Sequence, residues 1–180
     1  MDRLVQSIDN VRLTDAEDAV VILDQSLPPG RTEYRVLSDA ESLREAIFSL
    51  RVRGAPAIGI CAGYCMYLLA RDAWTEDRQA FLRKLTEDGE ALNASRPTAV
   101  NLSWAIGEMM AVARARLQEP REALLDALYQ KAVAIHEDDI AKCKAISEYG
   151  LSLLKEGPGV TVGQHAVPLL QQAQAVFGDG

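Results

Sequence analysis

Short apolar runs alternate with polar turns in the N-terminal part of the chain. Val11–Leu13 and the run 19–23 (AVVIL) are separated by the charged turn TDAED, which predicts an antiparallel hairpin. After a turn at Pro28-Pro29-Gly30, the alternating segment 32–37 (TEYRVL) predicts a third strand. The pattern therefore predicts a small antiparallel sheet within residues 8–37.

From residue 38 onward, apolar positions recur at helical spacing. The motif Ser38-Asp39-Ala40-Glu41 predicts a capping box with Ser38 as the N-cap. The acidic triplet 137–139 predicts a break or a new cap in the last part of the bundle. The predicted helices cover residues 39–49, 55–71, 75–94, 97–117, 120–136 and a final stretch to about Leu154.

These elements predict an α+β fold that is mostly α, with the small N-terminal antiparallel sheet followed by a helical bundle over residues 38–156. Sheet and bundle together form one N-terminal domain, residues 1–156. The stop signal KEGPG separates it from a divergent tail, residues 157–180, part of which we expect to lack regular structure. Within the tail, 160–162 (VTV) predicts a strand opening and the residues after Pro168 a short helix.

Composition and charge narrow the range of partners. The 180 residues are 48% hydrophobic and carry a net charge of −7, which argues against broad nucleic-acid binding but allows a local arginine site for a small phosphate ester. The longest apolar run, 55–70, is shorter than the roughly 18 residues that cross a bilayer. We therefore expect a cytoplasmic protein without nucleic-acid or membrane partners.

The cysteines and histidines do not have the spacing of a metal site. Cys61 and Cys65 lie four residues apart on an apolar helix, where we expect them to pack in the core, and Cys143 is distant. His136 stands beside the acidic triplet, and we interpret it as a surface or capping residue. We expect neither a metal nor a cofactor.

Two arginines, each followed closely by a proline, stand at predicted helix starts. In Arg53-Gly54-Ala55-Pro56 the proline suits the first helical turn, where unpaired amides and the helix dipole favour an anion. Arg96-Pro97-Thr98 repeats this local design. If the two helix starts converge, two guanidinium groups and two dipoles face one anion. The alternative is a core helix whose arginine caps it or pairs with a neighbour.

Four segments of the chain carry a family resemblance. VRGAPAIGI and SRPTAVNLSWAI, together with ILDQSLPPGRTEY and HEDDIAKCKAISEYG, resemble the methylthioribose-1-phosphate isomerase family. That family is related to the α, β and δ regulatory subunits of a eukaryotic translation-initiation exchange factor. The resemblance covers about residues 8–162, and the order of the two arginine motifs makes it specific.

The resemblance implies an aldose-ketose isomerase that converts 5-methylthioribose 1-phosphate to 5-methylthioribulose 1-phosphate in methionine salvage. Its substrate-binding residues fall on Arg53, Gly54, Ala55 and Arg96. The resemblance implies that the family's catalytic cysteine, in a Thr-His-Cys-Asn-Ala-Gly run, and its catalytic aspartate belong to positions beyond the matched part, and we expect this chain to lack the family's C-terminal Rossmann-like domain. We therefore assign no catalytic residue, and we expect a phosphorylated pentose as substrate and a homodimer for the full-length family.

The departure from the family after Val162 leaves three explanations open: an isolated N-terminal domain, a truncated or frame-shifted product, and a shortened relative with another task. If either of the first two explanations holds, we expect the chain alone to have no isomerase activity. The competing functions are a sugar-phosphate-binding or regulatory module and an isomerase of another pentose 1-phosphate, such as 5-deoxyribose 1-phosphate. The sequence does not identify residues that face the C5 substituent of the sugar.

Overall fold

The computed structural model describes residues 10–152. The described residues divide into two units, one of residues 10–136 and one of residues 137–152. The sheet and the bundle helices that begin before residue 121 lie within the first unit. The predicted strand at 160–162, the helix after Pro168 and the tail 157–180 lie outside the described residues.

The predicted three-stranded sheet is confirmed, with β1 at Val11–Leu13, β2 at Val20–Leu23 and β3 at Tyr34–Leu37. The strands are antiparallel in the order β1-β2-β3. All four residues of the central strand β2 are buried, because neighbours cover it on both edges. The buried carboxyl end of β2 leads directly into Asp24 and Gln25, which matter for the site below.

The other regular elements of the described chain are helices, and the mostly helical α+β fold is confirmed. Every residue of α2 from Ile58 to Ala70 is buried, which makes this helix the centre of the core. It contacts β1, β2 and all four of the other helices. The helices are α1 (Ala40–Phe48), α2 (Ala55–Ala73), α3 (Arg78–Ala94), α4 (Val100–Ala115) and α5 (Arg121–Ser152).

Two helix starts differ from the prediction because another side chain forms the cap. In α1 the N-cap is Asp39, whose carboxylate accepts from the Ser42 amide at 2.9 Å, so Ser38 does not cap the helix. In α3 the carboxylate of Asp77 accepts from the amides of Gln79 and Ala80 at 2.9 and 3.0 Å. The helix consequently begins at Arg78, three residues later than predicted.

Two further helix boundaries were predicted wrongly. The fourth helix begins at Val100, because Pro97 lies in the preceding turn and not in the first helical turn. The helix α5 runs through the acidic triplet 137–139 without a break. An ion pair between Asp138 and Lys142, four residues apart on this helix, stabilises its continuation. Within residues 10–152, none of the helices combines the length and the apolar character that a membrane crossing requires.

Candidate functional site

The start of α2 is an open helix end. Its N-cap, Gly54, has φ 87° and ψ 134°, a conformation that essentially only glycine adopts without strain. No side chain caps the helix, and Pro56 occupies its first turn. The amides of Ala55 and Ala57 have no acceptor within the helix at these positions. This end therefore offers backbone N–H groups and a positive dipole to an anion.

The start of α4 has the same character. Its N-cap, Ala99, cannot cap the helix with its side chain. The amide of Ala99 donates to the carbonyl of Arg96 at 3.0 Å, which closes the turn that carries this arginine. At the first positions of the helix, Val100 and Asn101 have amides without an intrahelical acceptor. A second open helix end thus follows directly after Arg96.

Close packing brings these two helix ends together. A Cβ atom on Gly59, one helical turn after Ala55, would lie 3.3 Å from the carbonyl oxygen of Asn101 and 3.4 Å from its Cβ. Further along, a Cβ on Gly89 of α3 would touch both Met66 and Ile106. Residue 59 of α2 thus lies beside residue 101 of α4, and residues 66 and 106 lie beside the same glycine of α3. Because both numbers increase together, α2 and α4 run parallel, with their N-termini at the same end of the bundle.

The two arginines at this end have guanidinium groups that find no partner in the described part of the chain. Within residues 10–152, neither Arg53 nor Arg96 makes a side-chain hydrogen bond or an ion pair, whereas Arg51 pairs with both Asp24 and Glu45. Arg53 is exposed and Arg96 half-buried. Two unpaired cations beside two open helix ends favour binding of a phosphate ester, since guanidinium and backbone amides both donate to phosphate oxygens.

A buried carboxylate anchors the loop that precedes α2. Asp24, fully buried, accepts from Arg35 Nε at 2.5 Å, from Arg51 Nη1 at 2.8 Å and from Ser26. Burial alone would raise the pKa of this carboxyl, but the hydrogen bonds from Ser26, Arg35 and Arg51 outweigh burial and hold the pKa well below its usual range. The pKa of Arg51 is raised by its bonds to Glu45 and Asp24. The cluster is therefore ionised at neutral pH.

One amide side chain holds the Arg53 loop, and a second one bonds to the start of α4. The Oε1 atom of Gln25 accepts from the backbone amide of Arg53 at 3.1 Å. At the other helix start, Ser103 Oγ donates to Asn93 Oδ1 at 2.8 Å, and the Arg96 amide donates to the Asn93 carbonyl at 3.2 Å. The sequence pattern did not identify these supporting residues. The signal for the first was an acid and an amide placed directly after a buried strand.

The other candidate chemical groups serve packing. Cys61 and Cys65 are fully buried with their Sγ atoms 3.8 Å apart, which confirms them as core residues. Contact with Cys61 and burial raise the pKa of the Cys65 thiol. His136 was predicted to stand at a helix end, but it lies within α5. Its Nδ1 is 2.9 Å from the Tyr64 hydroxyl oxygen. Within residues 10–152, no group of at least three His, Cys, Asp or Glu side chains could hold a metal ion.

The structure places Arg53, Gly54, Ala55 and Arg96 at the two helix starts that meet. Open amides and guanidinium groups without partners in the described part of the chain would suit an anion at these positions. Their assignment to substrate binding remains a prediction.

Comparison with known proteins adds independent evidence. The model of the initiation factor 2 subunit family matches residues 51–174, a range that contains both arginine motifs and ends within the tail. The methylthioribose-1-phosphate isomerase of Parabacteroides distasonis is 43% identical over 83% of this chain and 45% of its own length. The protein of the same name from Symbiobacterium thermophilum is 41% identical over 96% of this chain and 47% of its own length. A 5-deoxyribose 1-phosphate isomerase of Clostridium botulinum is 39% identical over 83% of this chain and 43% of its own length.

Two solved structures have a fold similar to that of this chain. The crystal structure of 5-methylthioribose 1-phosphate isomerase from Pyrococcus horikoshii matches with a TM-score of 0.75 and 31% identity, over 82% of this chain and 41% of that one. The translation initiation factor eIF-2B subunit delta from A. fulgidus matches with a TM-score of 0.74 and 29% identity, over 84% and 43%. The chain spans less than half the length of each of these proteins. From the family match and the shared fold, we conclude that the chain belongs to the initiation factor 2 subunit family.

Proposed function

We propose that this chain provides the phosphate-binding part of an aldose-ketose isomerase acting on 5-methylthioribose 1-phosphate in methionine salvage. The observation that carries the proposal is that two open helix ends meet beside Arg53 and Arg96, which have no side-chain partner among residues 10–152. The family match and the relatives named as sugar 1-phosphate isomerases support it. As parts of the same proposal, the protein acts in the cytoplasm, without cofactor or nucleic acid, and the full-length enzyme is a homodimer.

The chemistry explains why phosphate binding alone is not enough. A phosphate on the anomeric oxygen prevents spontaneous opening of the sugar ring, so an acid must assist ring opening before hydrogen moves between C1 and C2. Cys61 and Cys65 are buried in the core, and the pKa of Cys65 is raised by contact with Cys61 and by burial. We therefore propose that the described residues bind the phosphate, and that the catalytic groups come from outside them.

Binding of ribose 1-phosphate to the purified 180-residue chain, followed by amide chemical shifts, tests the proposal. We expect saturable shifts at Gly54, Ala55 and Asn101, and no shifts with ribose. Arg53→Ala and Arg96→Ala should each weaken binding by roughly 10- to 100-fold, because a charge-assisted hydrogen bond contributes roughly 1.5–3 kcal/mol.

The matched control is Arg114→Ala in the last turn of α4, away from the helix starts. This variant should bind like the wild type. Equal affinity in all three arginine variants, or equal binding of ribose, would refute the phosphate site. We also expect the chain alone to show no turnover of methylthioribose 1-phosphate or 5-deoxyribose 1-phosphate. Detectable turnover would refute the proposed division between binding and catalysis.

A binding or regulatory module is the second candidate. The similarity to the eIF-2B subunit delta of A. fulgidus, at a TM-score of 0.74, favours it, because a regulatory subunit could keep the fold without the isomerase chemistry. The DNA sequence that follows the codon for Gly180 discriminates the two candidates. A Cys-Asn-Ala-Gly run in any reading frame would favour the isomerase, and its absence in all frames would favour the module.

A further inference from the structure

The loop before α2 is fastened to the end of β2 by three hydrogen bonds. The amide of Gln25 donates to the carbonyl of Arg51 at 2.9 Å, and the Arg51 side chain donates to Asp24. The third bond, from the Arg53 amide to Gln25 Oε1, acts on the arginine of the candidate site itself. Gln25 therefore contacts the loop from both its backbone and its side chain.

This third bond fixes the backbone where the chain would otherwise be free to turn. Val52 is fully buried, but Arg53 and Gly54 are exposed, and Gly54 lacks the Cβ that restricts other residues. The bond to Gln25 sets the orientation of the peptide plane between Val52 and Arg53. It thereby limits the directions in which the Arg53 side chain and the next amides can point.

The chemical type of the acceptor also fits an anion site. A side-chain amide accepts the Arg53 N–H through its oxygen and carries no net charge. A carboxylate at the same place would accept the bond equally well but would put a negative charge beside the bound phosphate. Gln25 supplies the acceptor without this repulsion.

We propose that Gln25 is a positioning residue of the anion site. Its side-chain carbonyl holds the Arg53 amide so that the Arg53 guanidinium and the first amides of α2 face the same phosphate ester. The inference rests on the proposed function, since it assigns a role in binding the phosphate group.

The test compares Gln25→Met, which has a similar length but no comparable acceptor, with the wild-type 180-residue chain. We expect the Arg53 amide to exchange its hydrogen about tenfold faster, because its bond is lost. Affinity for ribose 1-phosphate should fall about fivefold, equivalent to about 1 kcal/mol for one hydrogen bond. The urea midpoint of unfolding should not change, because Arg53 is exposed and water can replace the lost acceptor.

Two further variants separate positioning from other effects. Gln79→Met makes the same change at an exposed residue at the opposite end of α3 from Arg96, and should behave as the wild type. Gln25→Glu should restore slow exchange of the Arg53 amide, but it should still bind ribose 1-phosphate more weakly because of its charge.

The outcomes distinguish the inference from the proposed function. If the wild type binds ribose 1-phosphate and Gln25→Met binds it equally well, only the inference fails. Unchanged exchange of the Arg53 amide in Gln25→Met also overturns it. If the wild type shows no binding at all, the proposed function fails and the inference falls with it.

Discussion

Helices α1 and α3 begin differently from α2 and α4. The first two begin at an aspartate, Asp39 or Asp77, whose carboxylate accepts backbone amides of the first turn. These hydrogen bonds lower the pKa of each carboxyl, chiefly through the amides of Ser42 and Ala80. By contrast, α2 and α4 begin at Gly54 and Ala99 without a side-chain cap.

The difference lies in where each helix start finds its support. A capped start is stabilised by a residue adjacent in sequence, which also occupies the amides that could bind a ligand. The open starts are held by residues from elsewhere: Gln25 holds Arg53, Asn93 bonds to Ser103, and Gly59 packs on Asn101. Support from a distance leaves the helix amides open, which is what an anion site requires.

The largest expected effect comes from removing the anchor of the open α2 start. Asp24→Asn should lower the free energy of unfolding by about 3 kcal/mol, because two guanidinium groups lose their charged partner. The matched control is Asp72→Asn, because the side chain of Asp72 pairs with Arg71 but is 55% exposed. This change should lower the free energy of unfolding by less than about 0.5 kcal/mol. Urea unfolding at pH 7 measures both, and similar losses would contradict the anchoring role.

The same variant should change the dependence of stability on pH. Because the folded pKa of Asp24 lies below its unfolded value, its contribution is present above about pH 4 and is lost as the pH falls towards the folded value. The free energy of unfolding of Asp24→Asn should therefore decline less steeply below about pH 4 than that of the wild type. An identical decline in both chains would show that this carboxylate does not govern acid unfolding.

A smaller effect is expected from Gly54→Ala. At φ 87° an alanine is strained although no atom lies within 4 Å of the new Cβ, so we expect a loss of about 2 kcal/mol. Gly107→Ala, with equally open space in the middle of α4, should instead gain up to about 1 kcal/mol from helix propensity. Thermal unfolding measures both variants. Stabilisation by Gly54→Ala would contradict the backbone requirement at this helix start.

The smallest effects come from exchanging the two kinds of helix start. Ala99→Ser adds a cap to α4 and should stabilise the fold by up to about 1 kcal/mol, while weakening ribose 1-phosphate binding because the hydroxyl takes up an amide. Asp77→Ala removes the cap of α3 and should destabilise the fold without affecting binding. Paired unfolding and binding measurements decide the outcome. Unchanged affinity in Ala99→Ser would show that the α4 amides do not serve the ligand.

Much of the fold was predictable because it follows from local patterns. The alternation of apolar residues identified the three strands, and the apolar run after Gly54 identified α2 as the core helix. Caps were less predictable, since Ser38 and Asp39 are equally good capping residues and the choice depends on which side chain reaches the Ser42 amide. The acidic triplet 137–139 was likewise ambiguous, because its charges suit a new helix start as well as a pairing with Lys142 inside one helix.

Local sequence patterns predicted the three strands, most of the helices, the apolar centre of the bundle and the two arginine motifs, because these depend on residues close together along the chain. Tertiary packing was needed to show that the starts of α2 and α4 meet, through the contact of Gly59 with Asn101. It alone also joined Asp24 to Arg51 and Gln25 to Arg53. Each partner lies at least 27 residues from the other, and such pairs come together only when the sheet and the bundle have packed.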